Sequence, residues 1–489
     1  MLDFKEIHKY RENNRIEAKK ASGGLPNSIW ETYSAFANSM GGYILLGVEE
    51  KQDKSLHPIE LLGPEKLVQE FWNLINNRKK VNDTLKDKHV QIKEIEGKRI
   101  IIIEIPRADR KDKPVYIGAD PFEGSYRRDG EGDYHCTKDE VRNMMRDQAD
   151  VSQDLRVLDH LELDAFDYDS VRRYRIRWQN TRTEHVWENI SDDEFLHKVG
   201  AIGRSADGIL HPTAAGILMF GFEYEIVKEF PNFFLDYQEH ENDSTRWTDR
   251  IVSNLGDWSG NIFDFYCRVA NRITHDVKTP FKLNGITRID DTPVHRAIRE
   301  ALANSLIHSN YYERRGLVIH RYPGKVTIAN PGGLRISVDD AVFGGISDPR
   351  NVTLLKLFGM INVAERAGTG ISGIYATWEN ENWETPVLKE QFNPDRTVLS
   401  LTLSPQGGDK VAIKSGDKVA IKNGLSNQKK QAIISYLFET PFCISKDISV
   451  LLNINSSRTK VYLKELITDG IIIAEGANRN RTYRLKENR

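Results

Sequence analysis

Apolar residues recur with the period of an amphipathic helix in the stretch PVHRAIREALANSLIH, residues 293–308. Small and branched apolar side chains lie three or four positions apart and therefore share one face. Glu300, Asn304 and His308 recur at four-residue steps, so they share another face. The pattern predicts a helix with one buried side and one polar row.

The first 150 residues alternate between helical and strand-like patterns. Residues 28–39 predict a helix, after which Gly41-Gly42, supported by Asn38, turn the chain into a strand at residues 43–48. The apolar runs VQIKEI and RIIIIEI flank a short turn and predict a β-hairpin. Thr137 is the expected N-cap of a charged helix that ends at Gln148. We therefore expect an α/β domain here.

The pattern divides the whole chain into five segments and predicts a multidomain α/β (α+β) protein. The predicted segments are residues 1–150, an α/β domain; 151–277, a mostly helical segment; 278–405, a second α/β domain; 406–426, a linker that repeats GDKVAIK; and 427–489, a unit of helices and a hairpin. Helices followed by a hairpin are typical of a winged helix-turn-helix.

Composition narrows the class of protein. The 489 residues are 39% hydrophobic and 29% charged, which fits several soluble domains. No apolar run approaches the roughly 20 residues of a membrane span, and MLDFKEIHKYRENN has no signal-peptide pattern, so we expect a cytoplasmic protein without membrane contact. The three cysteines lie far apart and form no zinc motif. With a net charge of −2, affinity for nucleic acid must come from local patches.

The C-terminal unit is such a patch, with 11 Lys and Arg against 6 Asp and Glu from residue 426 onward. Arg458 and Lys460 lie on the predicted third helix, where a recognition helix contacts the major groove. Arg479 and Arg481 lie in the predicted wing, where phosphate contacts are usual. DNA binding is the functional interpretation, and protein binding is the alternative.

The polar row on residues 293–308 supplies the chemistry of a nucleotide site. A triphosphate needs Mg²⁺, which prefers hard oxygen ligands, and Asn304 offers one. Hydrolysis needs a carboxylate to orient water, and Glu300 is one helical turn away. Gly368-Thr369-Gly370 precede another predicted helix, whose N-terminus can face phosphate. The alternative is that Glu300 and Asn304 only face water.

These motifs in order, E-x-x-x-N, N-P-G-G and G-T-G, resemble the GHKL ATPase fold and its RecG-like or Schlafen-associated branch. The resemblance implies ATP with Mg²⁺, Glu300 as general base and Asn304 as the metal ligand. It further implies an adenine pocket and a phosphate loop, formed by Asn330, Gly332 and Gly333 and by Gly368, Thr369 and Gly370 respectively. Typical relatives have Asp where Asn330 stands, which favours nucleotide binding over fast hydrolysis.

The N-terminal run from RENNRIEAKK to SAFANSMGGYILLGV resembles a Schlafen/AlbA-type domain over about the first 145 residues. Such domains bind nucleic acid, and some hold divalent metal with three carboxylates and cleave transfer RNA. The resemblance implies Glu12, Glu17 and Glu50 as ligands of Mg²⁺ or Mn²⁺, with Lys19 at the phosphate. Glu50 stands where Asp is more usual. The alternative is that these are ordinary surface glutamates.

Tyr126-Arg127-Arg128 mixes an aromatic ring with basic groups, as surfaces that bind nucleic acid do. An edge strand protected by charge is the alternative.

Three functions stay open from the sequence. The first is an ATP-controlled effector of prokaryotic type that cleaves or only clamps RNA or DNA; the resemblance implies a role in regulation or in defence against phage. The second is a non-catalytic, ATP-responsive transcription regulator that binds DNA. The third is a scaffold in which nucleotide drives homo-oligomer assembly.

Overall fold

The computed structural model describes most of the chain. The described residues are 4–77, 80–81, 85–206, 208–241, 246–275, 277, 283–284, 287–288, 292–364, 368, 370–392, 394–404, 430, 433–434, 436–437, 442–452, 456–468, 471–475 and 481–486. The repeat linker predicted at residues 406–426 lies outside them.

Helices and strands alternate along the chain, as the predicted α/β class requires. Within the described residues the α-helices are Ile29–Asn38, Pro64–Ile75, Pro121–Gly124, Lys138–Gln148, Tyr168–Thr181, Asp192–Val199, Ala214–Phe220, Glu223–Glu229, Ile262–Thr274, Pro293–His308, Val338–Phe343, Val352–Met360, Gly370–Asn380, Ser445–Leu451 and Ser456–Thr468. The strands are Ile16–Lys19, Gly42–Leu46, Val48–Glu50, Leu56–Pro58, Val90–Ile95, Lys98–Ile105, Tyr126–Asp129, Gly132–His135, Ile202–Arg204, Leu210–Pro212, Leu235–Glu239, Asp249–Val252, Leu283–Asn284, Thr287–Arg288, Leu317–Tyr322, Lys325–Pro331, Val387–Gln391, Arg396–Thr402, Cys443–Ile444, Ile472–Glu475 and Thr482–Leu485. The multidomain α/β class is confirmed.

A four-stranded sheet organises the N-terminal domain, in the order Ile16–Lys19, Gly42–Leu46, Lys98–Ile105, Val90–Ile95. The first pair is parallel and the others are antiparallel. Helix Ile29–Asn38 packs on one face of the sheet within a buried apolar cluster. The predicted hairpin and the predicted helix are both confirmed.

Gly41 and Gly42 allow the backbone to pass close to neighbouring segments. Gly41 has a φ of +72°, and a Cβ there would lie 2.7 Å from the Ile105 carbonyl oxygen. Asn38 does not hold this turn as expected; its side-chain amide donates to the carbonyls of Val115 (2.8 Å) and Tyr126 (2.9 Å). It therefore ties the end of the helix to the segment at Val115 and to the start of strand Tyr126–Asp129.

Thr137 begins the helix Lys138–Gln148, which we call the bridging helix. Its hydroxyl accepts a hydrogen bond from the Glu140 backbone, and the Glu140 carboxylate accepts one from the Thr137 backbone. This reciprocal cap satisfies two backbone donors that a helix start otherwise leaves open, so the predicted N-cap is confirmed.

A six-stranded sheet forms the centre of the second α/β domain, which we call the cavity domain. The order of its strands is Asp249–Val252, Leu235–Glu239, Leu317–Tyr322, Lys325–Pro331, Arg396–Thr402 and Val387–Gln391. The middle segment was expected to be mostly helical, yet it supplies the first two strands. One apolar core runs through residues of both segments, so the expected boundary at residues 277 and 278 falls inside a single packed unit.

The C-terminal unit combines helices Ser445–Leu451 and Ser456–Thr468 with a three-stranded sheet. Strand Thr482–Leu485 lies between Cys443–Ile444 and Ile472–Glu475. This order agrees with the expectation, and the assignment as a winged helix stays a prediction. Among the helices that the structure describes, none has the length and apolar character needed to cross a membrane.

Candidate functional site

The helix Pro293–His308, which we call the cavity helix, separates its two faces as predicted. Its apolar residues are buried in the core of the cavity domain. Asn304 and His308 line a cavity on the other side. The cavity continues against strand Lys325–Pro331 and helix Gly370–Asn380, so three elements far apart in sequence meet there.

We call the motif Gly368-Thr369-Gly370 the glycine loop. Gly370 fixes how closely the start of helix Gly370–Asn380 approaches the cavity helix. A Cβ at Gly370 would lie 2.5 Å from the Asn304 amide nitrogen and 3.0 Å from Glu300 Oε1. Only a hydrogen fits between these groups and the backbone. Gly368 and Gly370 both line the cavity, whereas Thr369 lies outside the described residues. The structure thus brings Glu300, Asn304 and the two glycines together.

Asn330 and Gly333 lie on the opposite wall of the same cavity. Gly332 does not line it, because its backbone, with a φ of +91°, packs against the Arg350 guanidinium. Gly332 therefore lies behind Arg350, which does line the cavity, and its expected role in the adenine pocket stays a prediction. Thr397, which sequence reasoning missed, pairs with Asn330 across neighbouring strands and also lines the cavity.

His308 lies among groups that keep its imidazole neutral. Burial, together with the charges of Arg350 and Arg335, lowers the pKa of His308 to about 4. The imidazole is therefore neutral near pH 7. Its backbone carbonyl accepts a hydrogen bond from Arg350 Nη1 (2.6 Å).

Arg335 and Arg350 connect the cavity to the bridging helix, and the sequence analysis had singled out neither. Both line the cavity. Arg335 Nη2 donates to Asp147 Oδ1 (2.7 Å), and Arg350 Nη2 donates to Asp147 Oδ2 (2.8 Å). Burial acts to raise the pKa of Asp147, yet the charges and hydrogen bonds of the two arginines hold it well below its usual range. Asp147 is thus a shared anion for two cavity residues.

Further ion pairs join the N-terminal domain to the cavity domain. Arg107 binds the buried carboxylate of Glu390, and Arg110 Nε lies 2.5 Å from Asp348 Oδ2. At the start of the bridging helix, Asp139 accepts from Arg314 Nε (2.9 Å). Asp348 also lines the cavity, so three cavity residues, Arg335, Asp348 and Arg350, contact the N-terminal domain or its bridging helix.

The three N-terminal carboxylates lie near one another, as the resemblance implied. Burial raises the pKa of Glu12, and the neighbouring charges of Glu17 and Glu50 raise it further. Glu12 also accepts from the Ala18 backbone (2.9 Å). Lys19 stands beside the cluster, with its ammonium 3.0 Å from Glu17 Oε1.

Two of the three carboxylates are paired with protein cations. Glu17 Oε2 accepts from Arg128 Nη2 (2.9 Å), and Glu50 Oε2 lies 3.4 Å from the Lys54 ammonium. Within the described residues no group of three or more His, Cys, Asp or Glu side chains is arranged to hold a metal. Glu50 Oε1 is buried without a hydrogen-bond partner in this part of the chain, and the Mg²⁺ or Mn²⁺ site that the resemblance implied stays a prediction.

Arg127 and Arg128 do not present the free basic surface that the sequence suggested. Arg128 is buried, pairs with Glu17 and Asp133, and stacks over the Phe36 ring. Arg127 Nε lies 3.1 Å from Glu140 Oε1. The sequence does not reveal these pairs. Glu17 lies more than 100 positions from Arg128, and Arg127 has a different partner.

In the C-terminal unit, Lys460 and Arg481 are exposed. The Arg458 side chain and the whole of Arg479 lie outside what the structure describes. Tyr462, on the same helix as Lys460, is buried, and its hydroxyl donates to Glu379 of the cavity domain (3.0 Å). That side of the helix therefore packs against the rest of the protein.

Comparison with protein families identifies two of these parts. Residues 2–137, the N-terminal domain, match the family described as Schlafen, AlbA_2. Residues 315–399 match the family described as "putative ATP-dependent DNA helicase recG C-terminal", and residues 142–236 match a domain of unknown function. Both resemblances seen in the sequence are confirmed.

Two solved structures are similar to the chain. The N-terminal domain of a putative ATP-dependent DNA helicase RecG-related protein from Nitrosomonas europaea is 33% identical over 27% of this chain and 89% of its own, with a TM-score of 0.22. The DIP2311 protein from Corynebacterium diphtheriae is 15% identical over 97% of this chain and 95% of its own, with a TM-score of 0.40. A search of curated proteins finds no match.

Proposed function

We propose that the protein binds ATP in the cavity domain and that ATP controls how its Schlafen-type domain holds nucleic acid. The observation that supports this proposal most is the double role of Arg335 and Arg350. Both line the candidate nucleotide cavity, and both bind Asp147 of the bridging helix. A ligand that binds Arg335 and Arg350 in the cavity would therefore alter their contacts with Asp147.

The cavity residues fit a nucleotide with its metal. The Asn304 amide oxygen would hold Mg²⁺, which would neutralise phosphate charge, and Glu300 lies beside it next to Gly370. Gly368 and Gly370 let phosphates approach the backbone, and Asn330 would accept a hydrogen bond from the adenine amino group. An amide in place of a carboxylate at Asn330 favours binding and slow turnover over fast hydrolysis.

The coupling follows from charge. A triphosphate in the cavity attracts the Arg335 and Arg350 guanidiniums, which now share the single carboxylate of Asp147. Weakening those contacts loosens the bridging helix from the cavity domain. Typical coupling free energies of about 1–3 kcal/mol correspond to roughly 5- to 150-fold changes in affinity at the second site.

Asn304→Ala tests the nucleotide site. We expect calorimetry to show at least about 10-fold weaker binding of Mg-ATP, because a hydrogen bond or metal contact with a charged group is worth about 1.5–3 kcal/mol. Asn271→Ala, at an exposed position on helix Ile262–Thr274, is the matched control and should bind normally. Unchanged affinity in Asn304→Ala would remove the site assignment.

For nucleic acid we propose binding without metal-dependent cleavage. Arg128 already neutralises Glu17, and the Lys19 ammonium beside it is a cation to which a phosphate can bind. The exposed Lys460 and Arg481 support a second contact to DNA. We therefore favour a protein that binds nucleic acid in response to ATP over one that cleaves it.

Incubation with transfer RNA and DNA, with Mg²⁺ or Mn²⁺ and with or without ATP, tests this choice. We expect intact substrates with both the wild type and Glu17→Gln. Fragments made by the wild type and not by Glu17→Gln would show that cleavage occurs and that the binding-only proposal is wrong.

The cellular setting that we propose is defence against phage, which rests on the resemblance of the N-terminal domain. Cells that express the wild type should reduce phage titre, and cells that express Asn304→Ala should not. Equal titres in both strains would count against this role.

A further inference from the structure

A groove is lined by residues of both the N-terminal domain and the cavity domain. We call it the interdomain groove, and its volume is about 450 Å³. The residues that define it come from both domains: Asn14, Arg128, Gly130, Arg315, Gln391 and Arg396. The groove is therefore a surface that neither domain forms alone.

Two arginines of the cavity domain face this groove without a neutralising carboxylate. Arg396 begins strand Arg396–Thr402, and its Nη2 donates to the carbonyl oxygens of Gly316 (2.9 Å) and Ala329 (2.7 Å). Its Nε is buried without a hydrogen-bond partner. Arg315 is exposed in the loop before strand Leu317–Tyr322. Within the described part of the chain, neither guanidinium forms an ion pair.

The two guanidiniums lie close enough to repel each other. Burial lowers the pKa of Arg396, and the charge of Arg315 lowers it further. Carbonyl groups orient Arg396 but supply no net negative charge. An anion between the two side chains would remove the repulsion and form charge-assisted hydrogen bonds.

The other charged residues of the groove are mostly compensated. Arg128 binds Glu17 and Asp133, and Glu390 binds Arg107. Asp129, which also lines the groove, lies 3.6 Å from Arg127 Nη1. The uncompensated charge in this groove is therefore positive and concentrated on Arg315 and Arg396.

The groove also adjoins the candidate nucleic-acid surface. Arg128, which lines the groove, donates to Glu17 in the carboxylate cluster. Asn14, another lining residue, lies between Glu12 and Glu17 in sequence. A strand whose phosphate is held at Lys19 can thus continue past Arg128 into the groove.

We propose that Arg315 and Arg396 bind a backbone phosphate of the nucleic acid that the Schlafen-type domain holds, so that one strand contacts both domains. This inference rests on the proposed function, since it requires the N-terminal domain to bind nucleic acid. It adds a phosphate site on the cavity domain itself. ATP-driven movement between the domains would then act directly on the bound strand.

The test compares Arg315→Gln, Arg396→Gln and the double variant with Lys325→Gln. Lys325 is an exposed cation at the far end of the strand that pairs with Arg396–Thr402, so it controls for loss of charge on the same sheet. Fluorescence anisotropy with labelled single-stranded RNA and DNA is measured over a range of salt concentrations. Arg315 is exposed, so its single variant stays informative if Arg396→Gln fails to fold.

We expect about 10-fold weaker binding in the double variant and a salt slope smaller by about 1, for every sequence tested. Lys325→Gln should behave as the wild type. Wild-type affinity and slope in Arg315→Gln and in the folded double variant would overturn the proposal while leaving the proposed function intact. Binding of inorganic pyrophosphate at these arginines with unchanged oligonucleotide affinity would also overturn it, as evidence of a free-anion site. A wild type that binds no nucleic acid would overturn both proposals.

Discussion

At Gly370 the difference between a hydrogen and a methyl group decides whether the cavity can form. A Cβ there would lie 2.5 Å from the Asn304 amide nitrogen and 3.0 Å from Glu300 Oε1. Gly373, three residues further along the same helix, has nothing within 4 Å of the corresponding position. The two glycines therefore form a matched pair for testing the site.

We predict that Gly370→Ala weakens ATP binding by at least about 10-fold, because the added carbon displaces Asn304 and Glu300. Gly373→Ala should bind ATP normally and gain up to about 1 kcal/mol of helix stability. Calorimetry and thermal unfolding measure both effects. Equal ATP affinity in the two variants would contradict the placement of the glycine loop.

The same scale shows what the sequence could reveal. Four-residue spacing correctly placed Asn304 and His308 on the face of the cavity helix that lines the cavity, because helical geometry is local. The burial of Arg128 could not be predicted, because it depends on ion pairs with Glu17 and Asp133, which lie on other strands. Local patterns predict faces, whereas charge pairing depends on the completed fold.

At the scale of elements, the bridging helix is held at both ends by the cavity domain. Asp139 near its start binds Arg314, and Asp147 near its end binds Arg335 and Arg350. Asp150, just beyond the helix, is exposed and pairs with Lys111 of its own domain. Asp147 and Asp150 thus separate the effect of the coupling contact from that of a nearby surface charge.

Asp147→Asn should lower the free energy of unfolding by up to about 3 kcal/mol, because it leaves two partly buried guanidiniums without their anion. It should also reduce the influence of ATP on nucleic-acid affinity. Asp150→Asn should change stability by less than about 0.5 kcal/mol. Chemical unfolding of both variants provides the measurement, and equal stability would show that the shared carboxylate has no structural role.

Acid should act on the same contact. The pKa of Asp147 lies below its ordinary value near 3.8 in the folded protein, so its ion pairs add stability above that pH. This contribution should be lost as the pH falls below about 4, toward the folded-state pKa. We predict a shallower loss of stability over this range in Asp147→Asn than in the wild type. Identical pH profiles would exclude Asp147 as the titrating group.

At the scale of the whole molecule, the division into domains was the hardest feature to predict. The middle segment shows helical periodicity in most places, yet strand Leu235–Glu239 pairs in parallel with Leu317–Tyr322, about 80 residues later. Nothing in a local window identifies such a distant partner. The N-terminal domain, with its hairpin and short connections, could be predicted far better.

The central claim is that ATP and nucleic acid influence each other through Arg335, Arg350 and Asp147. Anisotropy of a labelled single strand, measured with and without Mg-ATP, tests it most directly. We predict that Mg-ATP changes the affinity of the wild type by at least about 5-fold and leaves that of Asn304→Ala unchanged. Equal affinity with and without Mg-ATP, in wild-type protein that calorimetry shows to have bound the nucleotide, would contradict the claim.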